Sequence, residues 1–273
     1  MPRIVFTDIE TRPCPAMGAY LDKKGRPFLD KNGEPAFAPA PFHRVEMIGI
    51  LVLRLGDKKR PGDVFERLDV IDHDDEAATL GDFIGRQEKA KPQQVTWNGR
   101  GFDLPVIQAR AMRHRIPFPW SYRSGKRYVT TNHMDLAEVT SNFGAASRGA
   151  ALDHYARLIG WPGKLDDSGA NVDQLLAEGK REWLRIYCAS DVILNAAVWL
   201  RVQHARGDWG VRRYRAAAES LLAVARGRVE LAPWLDRIDL DVWLGPELPA
   251  EEPPTPVADS SANDTADPSP EAA

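Results

Sequence analysis

The apolar positions of this chain fall into two rhythms. Short unbroken runs, beginning with Ile4, Val5 and Phe6, have the length and branched content of buried strands, and they predict strands over 3–8, 46–55, 64–71, 94–97 and 128–131. Apolar residues recurring every three or four positions predict helices over 75–90, 103–115, 150–160, 172–203 and 211–226. Three strands in succession, then strands alternating with helices, predict an α/β fold with a mixed five-stranded sheet flanked by helices. No internal repeats are evident.

The first run ends in two acids. In an extended strand residues i and i+2 share a face, so Asp8 and Glu10 project together, about 7 Å apart along the chain. Carboxylates held so close repel unless one keeps its proton or a cation lies between them, and their oxygens suit hard divalent ions such as Mg²⁺ or Mn²⁺. A polar strand end that happens to carry two acids explains the pair as well when it is taken alone.

Gln94 to Trp97 read as a strand that breaks at Asn98-Gly99, after which Phe102, Leu104, Val106, Ile107 and Ala111 recur at helical spacing. Asp103 therefore falls in the first turn of a helix, where free backbone N–H groups and the dipole already favour a carboxylate. In the long helical stretch Tyr187 and Asp191, four apart, stack on one face. Separately, a tyrosine bonded through its hydroxyl and an aspartate facing water are the ordinary roles. The coincidence of the three stretches carries more than any one of them.

Asp8-Ile9-Glu10, then Asn98 through Phe102-Asp103, then Tyr187 with Asp191 four residues later, resemble the three motifs of the DEDD superfamily of 3'-5' exonucleases. The YxxxD form marks the tyrosine branch, which includes proofreading domains of DNA polymerases. The chain is most similar to stand-alone proteins resembling the proofreading exonuclease of family B DNA polymerases. The likeness covers about residues 1–205, with further support from HMDL at 133–136, LDHYARLIGWPGK at 152–164 and YCASDV at 187–192. The stretch 13–42 has no match in it and reads as a loop insertion.

The resemblance implies an RNase H-like fold and hydrolysis of phosphodiester bonds from the 3' end of nucleic acid, with single-stranded DNA the preferred substrate and nucleoside 5'-monophosphates the products. It implies two divalent metal ions, Mg²⁺ or Mn²⁺, held by Asp8, Glu10, Asp103 and Asp191. Asp8 would bridge both ions, Glu10 and Asp191 would complete the water-side ion, and Asp103 would support the other. Tyr187 joins the catalytic set by orienting the water, since a phenol of ordinary pKa about 10 is a poor base at neutral pH. Asn98 and Phe102 would line the terminal-nucleotide pocket, Phe102 by stacking on a base or else serving as core. Lys164, in the Trp161-Pro162-Gly163-Lys164 turn, would hold a phosphate or else stand exposed. Asp135 reads as a helix cap and His133 as a satisfied structural histidine. The acids contact phosphate and not the sugar, so an exoribonuclease trimming RNA 3' ends is a second reading, and a non-catalytic nucleic-acid-binding module a third.

Composition adds limits. The chain is 43% hydrophobic and 27% charged, with no apolar run long enough to cross a bilayer and no signal-peptide pattern, which fits a soluble cytoplasmic protein. Only Cys14 and Cys188 occur, too few for a disulfide framework or a cysteine zinc site, and Cys188 reads as a helix packing residue. The formal charge of −3 is unevenly spread: residues 246–273 carry seven acids and no Lys or Arg, which leaves +4 for residues 1–245. The expected organisation is an exonuclease domain over 1–205, a basic helical extension over 206–245 and a disordered acidic Pro/Ala-rich tail over 246–273. The extension carries Arg212, Arg213, Arg215, Arg226 and Arg228, either on a solvated helix face or against phosphates.

Overall fold

The computed structural model describes residues 3–34, 36–123, 128–146, 149–165 and 172–247. Strands β1 (Arg3–Pro13), β2 (His43–Arg54), β3 (Val64–Ile71), β4 (Gln93–Thr96) and β5 (His133–Asp135) form one sheet in the order β3-β2-β1-β4-β5. The β1–β2 and β2–β3 pairs are antiparallel, whereas β4 runs parallel to β1 and β5 parallel to β4. Three antiparallel strands continued by two parallel ones make the mixed five-stranded sheet of an RNase H-like fold.

The helices are α1 (Glu76–Ala90), α2 (Asp103–His114), α3 (Pro119–Arg123), α4 (Leu136–Thr140), α5 (Leu152–Leu158), α6 (Val172–Ala177), α7 (Arg181–Ala205), α8 (Val211–Arg226), α9 (Ala232–Leu235) and α10 (Leu240–Leu244). The alternation of β1 sorts them into two layers. Val5 and Ile9 join the apolar cluster under α1 and α2, while Ile4 and Phe6 join the larger cluster under α5, α7 and α8. Asp8 and Glu10 share the even-numbered register of Ile4 and Phe6, so strand parity directs both acids to the α7 side. From Tyr187 to Leu200 every residue of α7 is buried, as befits a helix that runs through the interior rather than over it.

Four expectations need correction. The fifth strand is not at 128–131, which forms turns and irregular backbone, but at His133–Asp135, whose three buried residues pair with Gln94–Thr96. The helix expected over 172–203 is two helices, because Gly179 takes φ +73° and the chain turns at Glu178-Gly179-Lys180 before α7 begins. Short helices α3, α9 and α10 lie outside the helix ranges expected from the periodicity, whereas α4 follows Asp135 as the cap reading implies. Finally, residues 21–28 (LDKKGRPF) and 29–37 (LDKNGEPAF) are a tandem repeat in sequence. Asp22 Oδ1 accepts from the N–H groups of Lys24 and Arg26 at 2.8 and 3.0 Å, and Asp30 Oδ1 accepts from those of Asn32 and Glu34 at 2.7 and 3.1 Å. The two halves thus fold as like turns.

Beyond α7 the chain returns to the core. Trp209, Tyr214, Leu221, Trp234 and Trp243 lie in the same apolar cluster as Phe6 and Trp199. The arginines of this region also turn to the protein: Arg213 pairs with Asp63 at 2.6 Å and stacks on Trp209 at 4.0 Å, and Arg228 donates to the carbonyl of Leu68. From residue 248 on, the acidic tail lies outside the described residues. Among the described residues no helix is long and apolar enough to cross a membrane.

Candidate active site

One missing side chain lets the long helix reach the strand acids. Gly49 of β2 pairs with Asp8 in the sheet register, and a Cβ there would stand 2.9 Å from Cys188 Sγ and 3.1 Å from the Cys188 carbonyl oxygen. Without it α7 settles onto β2, and ligand atoms of Asp8, Glu10 and Cys188 come within 4.8 Å of one another. The next turn of α7 brings Asp191 to the same place. Asp103, first residue of α2, is buried at the helix start, where the backbone N–H groups of Asp103 and Ile9 favour its charged form. It is therefore a helix-start carboxylate and a member of the acid cluster at once.

Burial and mutual repulsion govern the charge of these groups. Burial, then the charges of Asp191, Asp103 and Glu10, hold the Asp8 carboxyl well above the usual carboxylate range, against the pull of Lys164. Burial and then Asp191 push Glu10 up to about 8. Burial raises Asp103 to about 7, with Asp135 adding to the rise and the two backbone N–H groups opposing it. Asp191 is raised by burial although Lys164 opposes it. All four acids therefore gain from a nearby cation.

Among the described residues, Lys164 is the cation that bears on these acids. Lys164 Nζ donates to Asp191 Oδ2 at 2.6 Å and to Tyr187 Oη at 3.1 Å, so this turn lysine points into the site rather than standing exposed. Among the described residues, Asp191 Oδ1 is buried without a hydrogen-bond partner. Four carboxylates against one ammonium, with an orphaned oxygen among them, fit hard divalent cations. The Tyr187 ring stacks on Trp183 at 5.4 Å, and burial followed by the charge of Asp191 pushes its phenol up to about 12.

The Lys164 turn is set from a distance. Gly163 takes φ +85°, and a Cβ on it would meet Asp153 Oδ1 at 2.2 Å. That same oxygen accepts from the Lys164 N–H at 2.8 Å, while Trp234 Nε1 donates to the Gly163 carbonyl at 2.9 Å. Trp161 at the start of the turn packs against Trp234 and Trp243, with ring centroids 5.6 and 5.4 Å away.

A cleft of about 1060 Å³ opens over the acids, lined also by Trp97, Asn98, Phe102, Lys164 and Tyr187. Every residue proposed from sequence for the site lines this cleft. Asn98 adopts a left-handed φ of +58°, and the N–H groups of Asn98 and Arg100 each donate to Asp135 at 2.9 Å. Asp135 caps α4 as expected, and in addition it fastens the 98–102 loop, a role that neighbours in sequence do not signal. His133 meets Thr96 Oγ1 through Nε2 at 2.8 Å, but its Nδ1 has no partner, so it is only half satisfied. Burial and then Arg100 hold it down at about 3, a neutral structural histidine. Phe102 packs against His43 and Phe37 and also lines the cleft. Cys188 is fully buried, and burial keeps its thiol protonated, as suits a packing residue.

The sheet order and an acid-lined cleft beside the central strand define the class: an α/β protein of the RNase H-like kind with a cluster of buried carboxylates at its cleft. Residues 35–237 match the family described as a predicted 3'-5' exonuclease related to the exonuclease domain of PolB, and the chain belongs to that family. The matched span contains Asp103, Tyr187 and Asp191 and runs through α8 and α9, while β1 with Asp8 and Glu10 precedes it. No curated protein matches the chain.

Proposed function

We propose that this protein is a 3'-5' exonuclease of the tyrosine branch of the DEDD superfamily, removing nucleotides from single-stranded DNA with two divalent metal ions, Mg²⁺ or Mn²⁺. The observation that carries the reading is the convergence of Asp8, Glu10, Asp103 and Asp191 from three elements on one cleft, with a buried oxygen of Asp191 left unpartnered. When bound, the ions would supply an activated water at neutral pH and positive charge against the leaving 3' oxygen. Asp8, Glu10, Asp103 and Asp191 would hold these ions, Glu10 and Asp191 toward the attacking water and Asp103 toward the leaving oxygen.

The protein's own groups then position and polarise. A Tyr187 phenol pushed up to about 12 keeps its proton at neutral pH, so it orients the nucleophilic water by a hydrogen bond instead of deprotonating it. Lys164 stays protonated because Asp191 and Asp8 hold its charge, and it offers that charge to a non-bridging phosphate oxygen. Asn98 and Phe102 shape the pocket for the terminal nucleotide, whose base stacks on Phe102.

The test is product analysis on matched 5'-labelled single-stranded DNA and RNA, with Mg²⁺ or Mn²⁺, an EDTA control and the Asp103→Ala variant. A metal-dependent ladder shortening from the 3' end, lost in the variant, is expected with DNA. Preference for RNA would move the assignment to an exoribonuclease. Binding without cleavage of either would leave a non-catalytic module.

A further inference from the structure

Against Phe102, which lines the acidic cleft, stands an aromatic side chain that the catalytic reading leaves unused. Phe37 closes the second of the twin turns in the 13–42 loop and is 74% exposed. Its ring nevertheless has a fixed place, 5.2 Å from Phe102 and 4.9 Å from His43 between centroids. The backbone around it is pinned: the Ala36 N–H donates to Phe28 O at 2.7 Å, the Phe42 N–H donates to Pro39 O at 2.9 Å, and His43 Nε2 lies 2.9 Å from Ala38 O. Phe28, the matching aromatic of the first turn, stacks on Tyr20 at 4.5 Å within the loop. One repeat therefore spends its aromatic on holding the loop, and the other sets its aromatic against a wall of the cleft with most of its surface in water.

An exposed ring held in place beside a nucleic-acid cleft suits one chemistry in particular. Nucleobases stack on aromatic side chains whatever their sequence, because every base has a π-face. We infer that Phe37 is a stacking platform for a nucleobase upstream of the 3'-terminal nucleotide, so that the loop extends the substrate contact beyond the acids and Phe102. This rests on the nuclease reading above. Such a platform keeps the strand aligned while successive terminal nucleotides enter the cleft.

The experiment measures binding of the full-length protein in EDTA, where no cleavage occurs, to short single-stranded oligodeoxynucleotides carrying one abasic residue moved stepwise from the 3' end. With the wild type, one interior abasic position weakens binding about tenfold. Phe37→Ala weakens binding of the intact strand by a similar factor and is indifferent to that position, whereas Phe37→Trp behaves like the wild type. In steady state with Mn²⁺ the Phe37→Ala loss falls on KM and leaves kcat unchanged. Wild-type binding and cleavage retained in full by Phe37→Ala would overturn the inference alone. A wild type that neither binds nor cleaves any strand would overturn the nuclease reading and this one with it.

Discussion

Replacing Glu10 by glutamine removes an ionisable group from a buried place while keeping the shape of the side chain. Glu10 is 7% exposed, and its carboxyl rises from the ordinary 4.5 to about 8, by burial first and by Asp191 next. The folded state therefore binds its proton more tightly than the unfolded chain does. Between the two values the folded state holds more protons, so stability is greatest below 4.5 and falls as pH rises toward 8. At 1.36 kcal/mol per unit, the 2.5 units from 4.5 to pH 7 amount to about 3 kcal/mol in the metal-free protein. The repulsion is shared with Asp8 and Asp191, so that figure is a ceiling. In urea titrations with EDTA, Glu10→Gln is expected to gain about 1–3 kcal/mol over the wild type at pH 7 and almost nothing near pH 4.5. Mn²⁺ should then reverse the order, since a ligand at a hundredfold excess over its dissociation constant stabilises by about 2.7 kcal/mol and the variant lacks one carboxylate to hold it. A variant less stable than the wild type by the same amount at both pH values would refute the reasoning, because Glu10 would then be a structural hydrogen-bonding group.

Three other outcomes follow from the same geometry. Tyr187→Phe should lower kcat about tenfold with no change in the shape of the pH–rate profile between about pH 6 and 9, because the phenol titrates near 12; loss of an alkaline limb would make it a base after all. Lys164→Met removes the ammonium 2.6 Å from Asp191 that competes with a bound cation, so calorimetry should show Mn²⁺ binding severalfold tighter while cleavage slows; weaker metal binding would contradict that competition. Gly49→Ala places a methyl 2.9 Å from Cys188 Sγ and 3.1 Å from a helix carbonyl, and should cost about 1–3 kcal/mol in urea unfolding; no loss would mean that α7 shifts freely on the sheet.

The alternation of β1 and the four-residue spacing of Tyr187 and Asp191 made the core of the site legible, because strand parity and helix pitch are local rules. Other features depend on contacts distant in sequence. Lys164 is an ordinary turn lysine until Trp234, seventy-one residues beyond Gly163, fastens the carbonyl before it. The strand His133–Asp135 is too short to show a period, and only its pairing with β4 defines it, while Tyr128 to Thr131 have β-favouring residues and no partner strand. The helices α9 and α10 are likewise too short for helical spacing to register, so the apolar residues of LAPWLDRIDLDVWL could not be assigned to the core. The paired turns at 21–37 are masked in the sequence because the second carries one extra residue before its phenylalanine.

The three-tryptophan packing of Trp161, Trp234 and Trp243 has a consequence for the order in which the protein is made. The acids and Tyr187 are all synthesised by residue 191, but the turn that aims Lys164 at them is clamped by Trp234 and Trp243, which are added only later. A nascent chain interrupted after α7 would carry the whole acid set with an unclamped lysine and an open apolar face where Trp209, Tyr214 and Leu221 belong. Completion of the cleft is thereby tied to the synthesis of α9 and α10.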